Sequence, residues 1–153
     1  MPLLSALLIA LTSLQSTPGA EFATLAADLQ TEVQARIADA QAHAAQSAPE
    51  LAPGDTLYNG LGELSARAMQ LSLSMERRNG PEDLRCIYRG MAQDALDQRQ
   101  ALSNAEIRSD RIHVYTNLAY LLDHAAEIGP IADQDDIAPF TGVDPGCPRG
   151  ALR

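Results

Sequence analysis

The fold is decided by residues 55–91, which read DTLYNGLGELSARAMQLSLSMERRNGPEDLRCIYRGM. The apolar residues of its first half alternate spacings of four and three: Leu57, Leu61, Leu64, Ala68, Leu71 and Met75. An α-helix has 3.6 residues per turn, so this spacing places all six side chains on one face. The stretch therefore predicts an amphipathic helix, and Asp55 just before it is the candidate N-cap.

The same stretch also contains the turn into a second amphipathic helix. Asn79 and Gly80 are residues that favour the C-terminal end of a helix, while Pro81 favours the start of the next one. So short a connection predicts that the two helices are antiparallel neighbours. The second helix is expected to bury Leu84, Ile87, Tyr88, Met91, Ala95 and Leu102.

Two further helices are expected on either side of this hairpin. The first covers residues 21–46, ends before the prolines at 49 and 53, and carries an apolar stripe of Phe22, Ala26, Leu29, Val33, Ala40 and Ala44. The last ends before Gly129 and Pro130, and its wide apolar arc starts at Ile112. Its N-cap is predicted to be either Ser103 with Glu106 or Ser109 with Asp110.

These elements predict an all-α protein, built as an antiparallel up-and-down helical bundle. Two versions stay open: four packed helices, or three helices with a loosely attached first helix, since the first helix is rich in alanine. The bundle domain is expected over residues 21–130. Residues 131–153 read as an irregular acidic tail rich in proline and glycine.

Residues 3–14 form an apolar run of about a dozen residues, which is typical of an export signal and too short to span a membrane as an anchor. Residues 1–20 are therefore read as a signal peptide, with cleavage after Ala20. A buried N-terminal helix is the alternative. The prediction places the mature protein in the periplasm or outside the cell, with no membrane association after cleavage.

Charge excludes several classes of partner. The chain has 20 acidic and 11 basic residues and a net charge of -9. Binding to nucleic acid or to anionic lipid needs a positive surface, so neither is expected. Every basic residue is arginine. A phosphate-loop lysine and a Schiff-base lysine are therefore excluded.

The two cysteines, Cys86 and Cys147, are predicted to form one disulfide, because exported proteins with an even cysteine count pair their thiols. An antiparallel bundle brings the end of the last helix, and so the tail, near Cys86. The alternative is a free Cys86 thiol whose pKa is lowered by Arg85 and Arg89 and which serves in redox chemistry.

The last helix carries a polar and aromatic stripe that is the candidate ligand site, formed by His113, Asn117, Tyr120, His124 and Glu127. Its two histidines are eleven residues apart, about 16 Å along the axis, so they cannot share a metal ion. A solvated helix face is the simpler interpretation. Asp133, Asp135 and Asp136 lack the glycine and glutamate of a calcium-binding EF-hand loop and are read as a flexible acidic linker.

No catalytic motif, cofactor site or metal site is found in the sequence. The favoured hypothesis is an exported, non-enzymatic helical protein that binds an unidentified protein partner or assembles as a homo-oligomer. The alternative is a bundle that binds a small ligand or a metal through the stripe on the last helix. The alternative would gain support if Glu63, Arg67 or Gln70 met that stripe around a cavity.

Overall fold

The computed structural model describes residues 16–135 and Cys147. Its helices are α1 Pro18–Ala42, α2 Thr56–Arg77, α3 Glu82–Asn104 and α4 Arg108–Ile128, followed by a short 3₁₀ helix, Gly129–Asp133. Within this part of the chain the only β-type pairing is an isolated bridge between Ser47 and Ile107. The predicted all-α bundle is confirmed. No described helix is both long and apolar enough to cross a membrane.

The helices pack as two close pairs, α1 with α4 and α2 with α3, around one core. The first helix is a full member, because Phe22, Ala26 and Val33 have no exposed surface. The Phe22 ring meets the Tyr88 ring of α3 edge to face, with centroids 6.0 Å apart. Of the two versions left open by the sequence, the structure therefore shows four packed helices.

The α2–α3 hairpin has the turn that its sequence predicts. Asn79 adopts the left-handed conformation, with φ of 56°, and the Gly80 N–H donates to the carbonyl of Met75. Two buried serines of α2 then tie the helices together. The Ser65 hydroxyl donates to the Ala92 carbonyl and the Ser72 hydroxyl to the Arg85 carbonyl, over 2.8 and 2.9 Å.

The start of α1 differs from the prediction. Its N-cap residue is Thr17, whose side chain makes no capping hydrogen bond, and the capping acceptor is Asp133, which follows α4 in the chain. The Asp133 carboxylate accepts hydrogen bonds from the backbone N–H groups of Gly19 and Ala20, at 2.9 and 2.8 Å, and from the Thr17 hydroxyl. The helix therefore begins at Pro18 instead of Glu21, and it ends at Ala42 instead of residue 46. The predicted cleavage point after Ala20 falls inside this first turn.

Asp133 was interpreted as part of a flexible linker, and that interpretation is wrong for this residue. The 3₁₀ helix that carries it packs against α1, so closely that a Cβ on Gly19 would lie 2.2 Å from the Gly129 carbonyl oxygen. Asp135 is exposed, and Asp136 lies outside the described residues.

The start of α4 also differs. Neither predicted cap pair is used, since Ile107 is the N-cap residue and its side chain makes no capping hydrogen bond. Instead, the loop before α4 pairs with the loop after α1. The Ala48 N–H donates to the Glu106 carbonyl at 2.9 Å, and the Arg108 N–H donates to the Gln46 carbonyl at 3.2 Å. These two bonds cross one end of the bundle.

Cys86 and Cys147 form a disulfide, with Cα atoms 5.1 Å apart and a sequence separation of 61. The structure thus favours the predicted bridge over a free Cys86 thiol. The Tyr88 hydroxyl donates to the Ile128 carbonyl at 2.7 Å. This hydrogen bond places the end of α4 beside the start of α3, as the antiparallel order of the helices requires. The path between residues 136 and 146 lies outside the described residues.

We expect the oxidised protein, unfolded in denaturant without reductant, to show no reactive thiol. Peptide mapping should return one fragment that joins Cys86 to Cys147. Closing a loop of this length is worth about 4 kcal/mol in the chain-entropy model, so reduction should lower the unfolding midpoint while the helical circular dichroism signal persists. Two free thiols, or a dimer linked through Cys86, would contradict the intrachain bridge.

The core prediction uses two leucines of one helix. Leu64 is fully buried and Leu73 is 41% exposed. Leu64→Ala should lower the free energy of unfolding by about 2 to 5 kcal/mol, because it leaves a cavity in the core. Leu73→Ala is the matched control and should cost less than about 1 kcal/mol. Equal costs in urea titrations would show that the two faces of α2 are not packed as described.

Candidate functional site

The predicted stripe on α4 faces solvent. All five of its residues are exposed, and Tyr120 is 69% exposed. Glu63 and Arg67 of α2 do not turn towards it, since Arg67 pairs with Glu63 and with Glu21 of α1. Gln70 lies with Arg67 beside the start of α1. Among the described residues no three potential metal-ligating side chains come together. A ligand role for the stripe stays a prediction.

A different group of side chains meets where the two loops cross. This end of the bundle carries the last turns of α1 and the first turns of α4 and α2. They enclose a cleft of about 240 Å³, called here the arginine cleft, which is lined by Arg36, Asp39, Ala40, Pro49, Glu50, Leu51, Asp55, Arg108, Arg111 and Tyr115. Three guanidinium groups thus converge in a strongly acidic protein.

Arg36 is paired twice. Its Nη1 contacts an Asp55 carboxylate oxygen at 3.0 Å, and its Nε contacts Glu32 at 2.7 Å. Burial alone would lower the pKa of Arg36, but the hydrogen bonds with the two carboxylates outweigh it and raise that pKa. Asp55 meanwhile caps α2 as predicted, accepting from the Tyr58 N–H at 2.9 Å. Arg36 is therefore a structural cation that joins α1 to the start of α2.

Arg108 is paired once. Its Nη1 forms an ion pair with the Asp39 carboxylate of α1, and its side chain is 17% exposed. The Nε of the same guanidinium is buried and has no partner among the described residues. Arg108 therefore joins the start of α4 to the end of α1, with part of its hydrogen-bonding capacity unused.

Arg111 is the exceptional member of the cleft. It is 6% exposed, and its Nε is buried without a hydrogen-bond partner in the part of the chain that the structure describes. No carboxylate there forms an ion pair with it. A buried cation without a partner costs several kcal/mol, so such a group is normally paired. Its place in the first turns of α4 adds to this cost, because the N-terminal end of a helix is itself positive.

The sequence analysis missed Arg111, although a signal was present. Arg111 precedes Tyr115, Leu118 and Leu122 at spacings of four, three and four. It therefore lies on the same face of the helix as these apolar residues, at the position of the stripe before Tyr115. An arginine on the buried face of a helix is unusual and indicates either a buried ion pair or a binding site.

A second, larger space adjoins the arginine cleft. This loop groove, of about 670 Å³, shares Pro49, Glu50, Leu51 and Arg111 with it. The other lining residues are Ala48, Ala52, Pro53, Gly54, Tyr58, Asn59, Ser103, Ala105 and Glu106. Arg111 therefore stands in the wall between the two spaces.

The aromatic side of the loop groove is held in place by Arg99 of α3. The guanidinium of Arg99 lies 3.9 Å from the centroid of the Tyr58 ring, and its Nε donates to the Tyr58 carbonyl at 2.9 Å. Cation–π stacking of this kind restrains the ring. Tyr58 thus gives the groove a fixed, partly apolar wall at the start of α2.

A third cleft, at the opposite end of the bundle, is of a different kind. It has a volume of about 480 Å³ and lies between the start of α1 and α2. Its central cation, Arg67, contacts Glu21 at 2.9 Å and Glu63 at 2.8 Å. The hydrogen bonds from Ser16 and Arg67 lower the pKa of Glu21. Arg67 is therefore paired, and Arg77, the other cation that lines this cleft, is exposed to solvent, unlike the buried Arg111.

Comparison with known proteins identifies no relative of this chain: no protein family, no curated protein and no solved structure matches it.

The lowered pKa of Asp55 should make the free energy of unfolding depend on pH. Burial alone would raise the pKa of Asp55, but the Tyr58 N–H and Arg36 outweigh it, so that pKa lies below its usual value of about 3.9. The unfolded state then binds more protons at acidic pH. The stability that Asp55 contributes is present above the unfolded pKa and is lost as the pH falls through the folded pKa.

We therefore expect Asp55→Asn, which keeps an N-cap acceptor, to lose less stability than the wild type when the pH is lowered from about 5 to about 2. The matched control is Asp94→Asn. The pKa of Asp94 is raised by burial and by Asp97, so removing this carboxylate should change the slope in the opposite direction. Urea titrations at several pH values measure both, and parallel curves for wild type and Asp55→Asn would contradict the paired carboxylate.

Proposed function

We propose that this protein binds a small anion in the arginine cleft, with the guanidinium of Arg111 as the anchor. One observation carries the proposal: Arg111 is buried and has no anionic partner among the described residues, whereas Arg36 and Arg108 each have one. An anionic ligand would supply the missing charge and accept the unused N–H groups.

The chemistry of arginine supports this assignment. A guanidinium presents its donors in a planar fork that matches the two oxygens of a carboxylate or the oxyanions of phosphate and sulfate. Arginine also stays charged when it is buried, unlike lysine, whose pKa shifts readily. The start of α4, where the N-cap side chain makes no capping hydrogen bond, adds a partial positive charge on the same side of the cleft.

This proposal belongs to the ligand-binding alternative of the sequence analysis, but with a different site. It uses the buried side of α4 at its first turns instead of the exposed stripe. The hypothesis favoured by the sequence, binding to a protein partner or to a second copy of the chain, stays a prediction.

The large apolar side chains that a protein partner could contact are spread over three helices and one loop. They are 37 to 69% exposed: Met69, Leu73, Leu96, Ile107 and Tyr120.

We also propose that the protein works outside the cytoplasm, in the periplasm or as a secreted protein. The Cys86–Cys147 pair supports this location, because stable disulfides belong to oxidising compartments. The apolar run of residues 3–14 supports it independently, as an export signal. That run lies outside the described residues.

The test of anion binding compares wild type with Arg111→Gln, which keeps hydrogen-bonding capacity but removes the charge. Sodium formate, acetate, sulfate and phosphate are titrated at constant ionic strength while thermal unfolding is followed. At least one anion should raise the wild-type Tm by several degrees, because a ligand that binds only the folded state stabilises it. The same anion should leave Arg111→Gln unchanged.

The control is Arg89→Gln, because Arg89 is 47% exposed and its closest carboxylate contact, with Glu76, is 3.8 Å. It should respond to anions like the wild type. Without added anion, Arg111→Gln should be at least as stable as the wild type, since it removes an unpaired buried charge. A wild type that responds to none of the four anions, or an Arg111→Gln variant that still responds fully, would overturn the proposal.

A further inference from the structure

We infer that the ligand is an organic monocarboxylate, bound through its carboxylate to Arg111 and through an apolar body in the loop groove. This inference rests on the proposed function and narrows it from any small anion to one chemical class. The ion pairing within the arginine cleft and the continuity of the two spaces lead to it.

Ion pairing in the arginine cleft leaves one of its three guanidinium groups without a carboxylate partner. Of the three guanidinium groups in the cleft, that of Arg36 is taken by Asp55 and Glu32, and that of Arg108 is taken by Asp39. Only Arg111 remains without an anion among the described residues. A second negative charge on the ligand would find no free cation there and would face the carboxylates that line the cleft. Dianionic phosphate, sulfate and dicarboxylates are therefore disfavoured.

The position of Arg111 gives the ligand a direction. Arg111 lines both the arginine cleft and the loop groove, so a carboxylate held by its guanidinium can extend its remaining atoms into the groove. The groove has the volume of a small-molecule site, and its walls include Leu51, Pro53 and the restrained ring of Tyr58. An apolar body gains binding energy there by leaving water.

Glu106 disfavours a second carboxylate at the far end of the ligand. It is exposed and lines the loop groove but not the arginine cleft, whereas Glu50 lines both spaces, so Glu106 repels an anion placed in the groove. The groove and the cleft thus favour the same kind of ligand. It has one carboxylate, bound at Arg111, and the rest of it is uncharged and partly apolar.

The experiment measures the Kd of four probes by calorimetry: phenylacetate, acetate, succinate and phosphate. Phenylacetate and acetate share a head group and differ in the apolar body. We expect phenylacetate to bind at least tenfold more tightly than acetate, and succinate and phosphate to bind no better than acetate. Arg111→Gln should abolish the binding of both monocarboxylates.

Leu51→Ala tests the groove. Removing this apolar wall should weaken phenylacetate about fivefold and acetate by a smaller factor, because Leu51 lines the arginine cleft as well as the groove. The matched control is Leu73→Ala, the same substitution at an exposed site of α2, which should change neither affinity. Circular dichroism of each variant confirms that the bundle is folded.

The outcomes separate the inference from the proposed function. Equal affinities for phenylacetate and acetate, both lost in Arg111→Gln, would overturn the apolar body and leave the anion site standing. Tightest binding of succinate or phosphate at Arg111 would overturn the monocarboxylate class and leave the anion site standing. An absence of binding for all four probes, or phenylacetate binding that persists in Arg111→Gln, would overturn both.

Discussion

The carboxylate of Asp55 fixes the geometry on which the proposed site depends. One of its oxygens accepts from the N–H of Tyr58 and so starts α2, while the other pairs with Arg36 of α1. A single side chain thus sets where α2 begins relative to α1. The same carboxylate is an anionic partner for the guanidinium of Arg36. Asp39 has the same role for Arg108 at the start of α4, so two of the three carboxylates that line the cleft are already paired with guanidinium groups other than that of Arg111.

The isolation of Arg111 is therefore a consequence of how the helices are joined. A carboxylate in place of one of its apolar neighbours would pair with it and so would raise the stability of the protein relative to the unpaired cation. The chain instead keeps a guanidinium on the buried stripe of α4, next to an open space. Unpaired buried charge of this kind is concentrated at functional sites, where a bound group completes the electrostatics.

Sequence reasoning predicted the features that local rules control. The stripes of α2 and α3, the Asn79–Gly80 turn and the Asp55 cap depend on residues close together in the chain. All are present, except that Leu84 and Ile87 of the α3 stripe are only half-buried. The disulfide followed from the cysteine count and from the order of the helices. The cap of α1 by Asp133 could not be predicted, because 114 residues separate this carboxylate from Gly19.

The site was missed for a related reason. Arg111 is visible in the sequence as an arginine at an apolar position, but whether it is paired depends on α1, on the loop after α1 and on the start of α2 together. The crossing of the two loops, through the hydrogen bonds of Ala48 and Arg108, decides which carboxylates reach the cleft. Periodicity assigns a residue to a face; it does not say which charges meet there.

The crossing of the loops also determines what a ligand would stabilise. The walls of the cleft come from α1, from the loop after it and from α4, and the backbone bonds of Ala48 and Arg108 hold these walls together. An anion between them would add contacts across the same junction, so its binding free energy would be added to the stability of this end of the bundle. At the opposite end, the Cys86–Cys147 disulfide already fixes the chain. The end that carries Arg111 is thus the one where a ligand has the most to contribute.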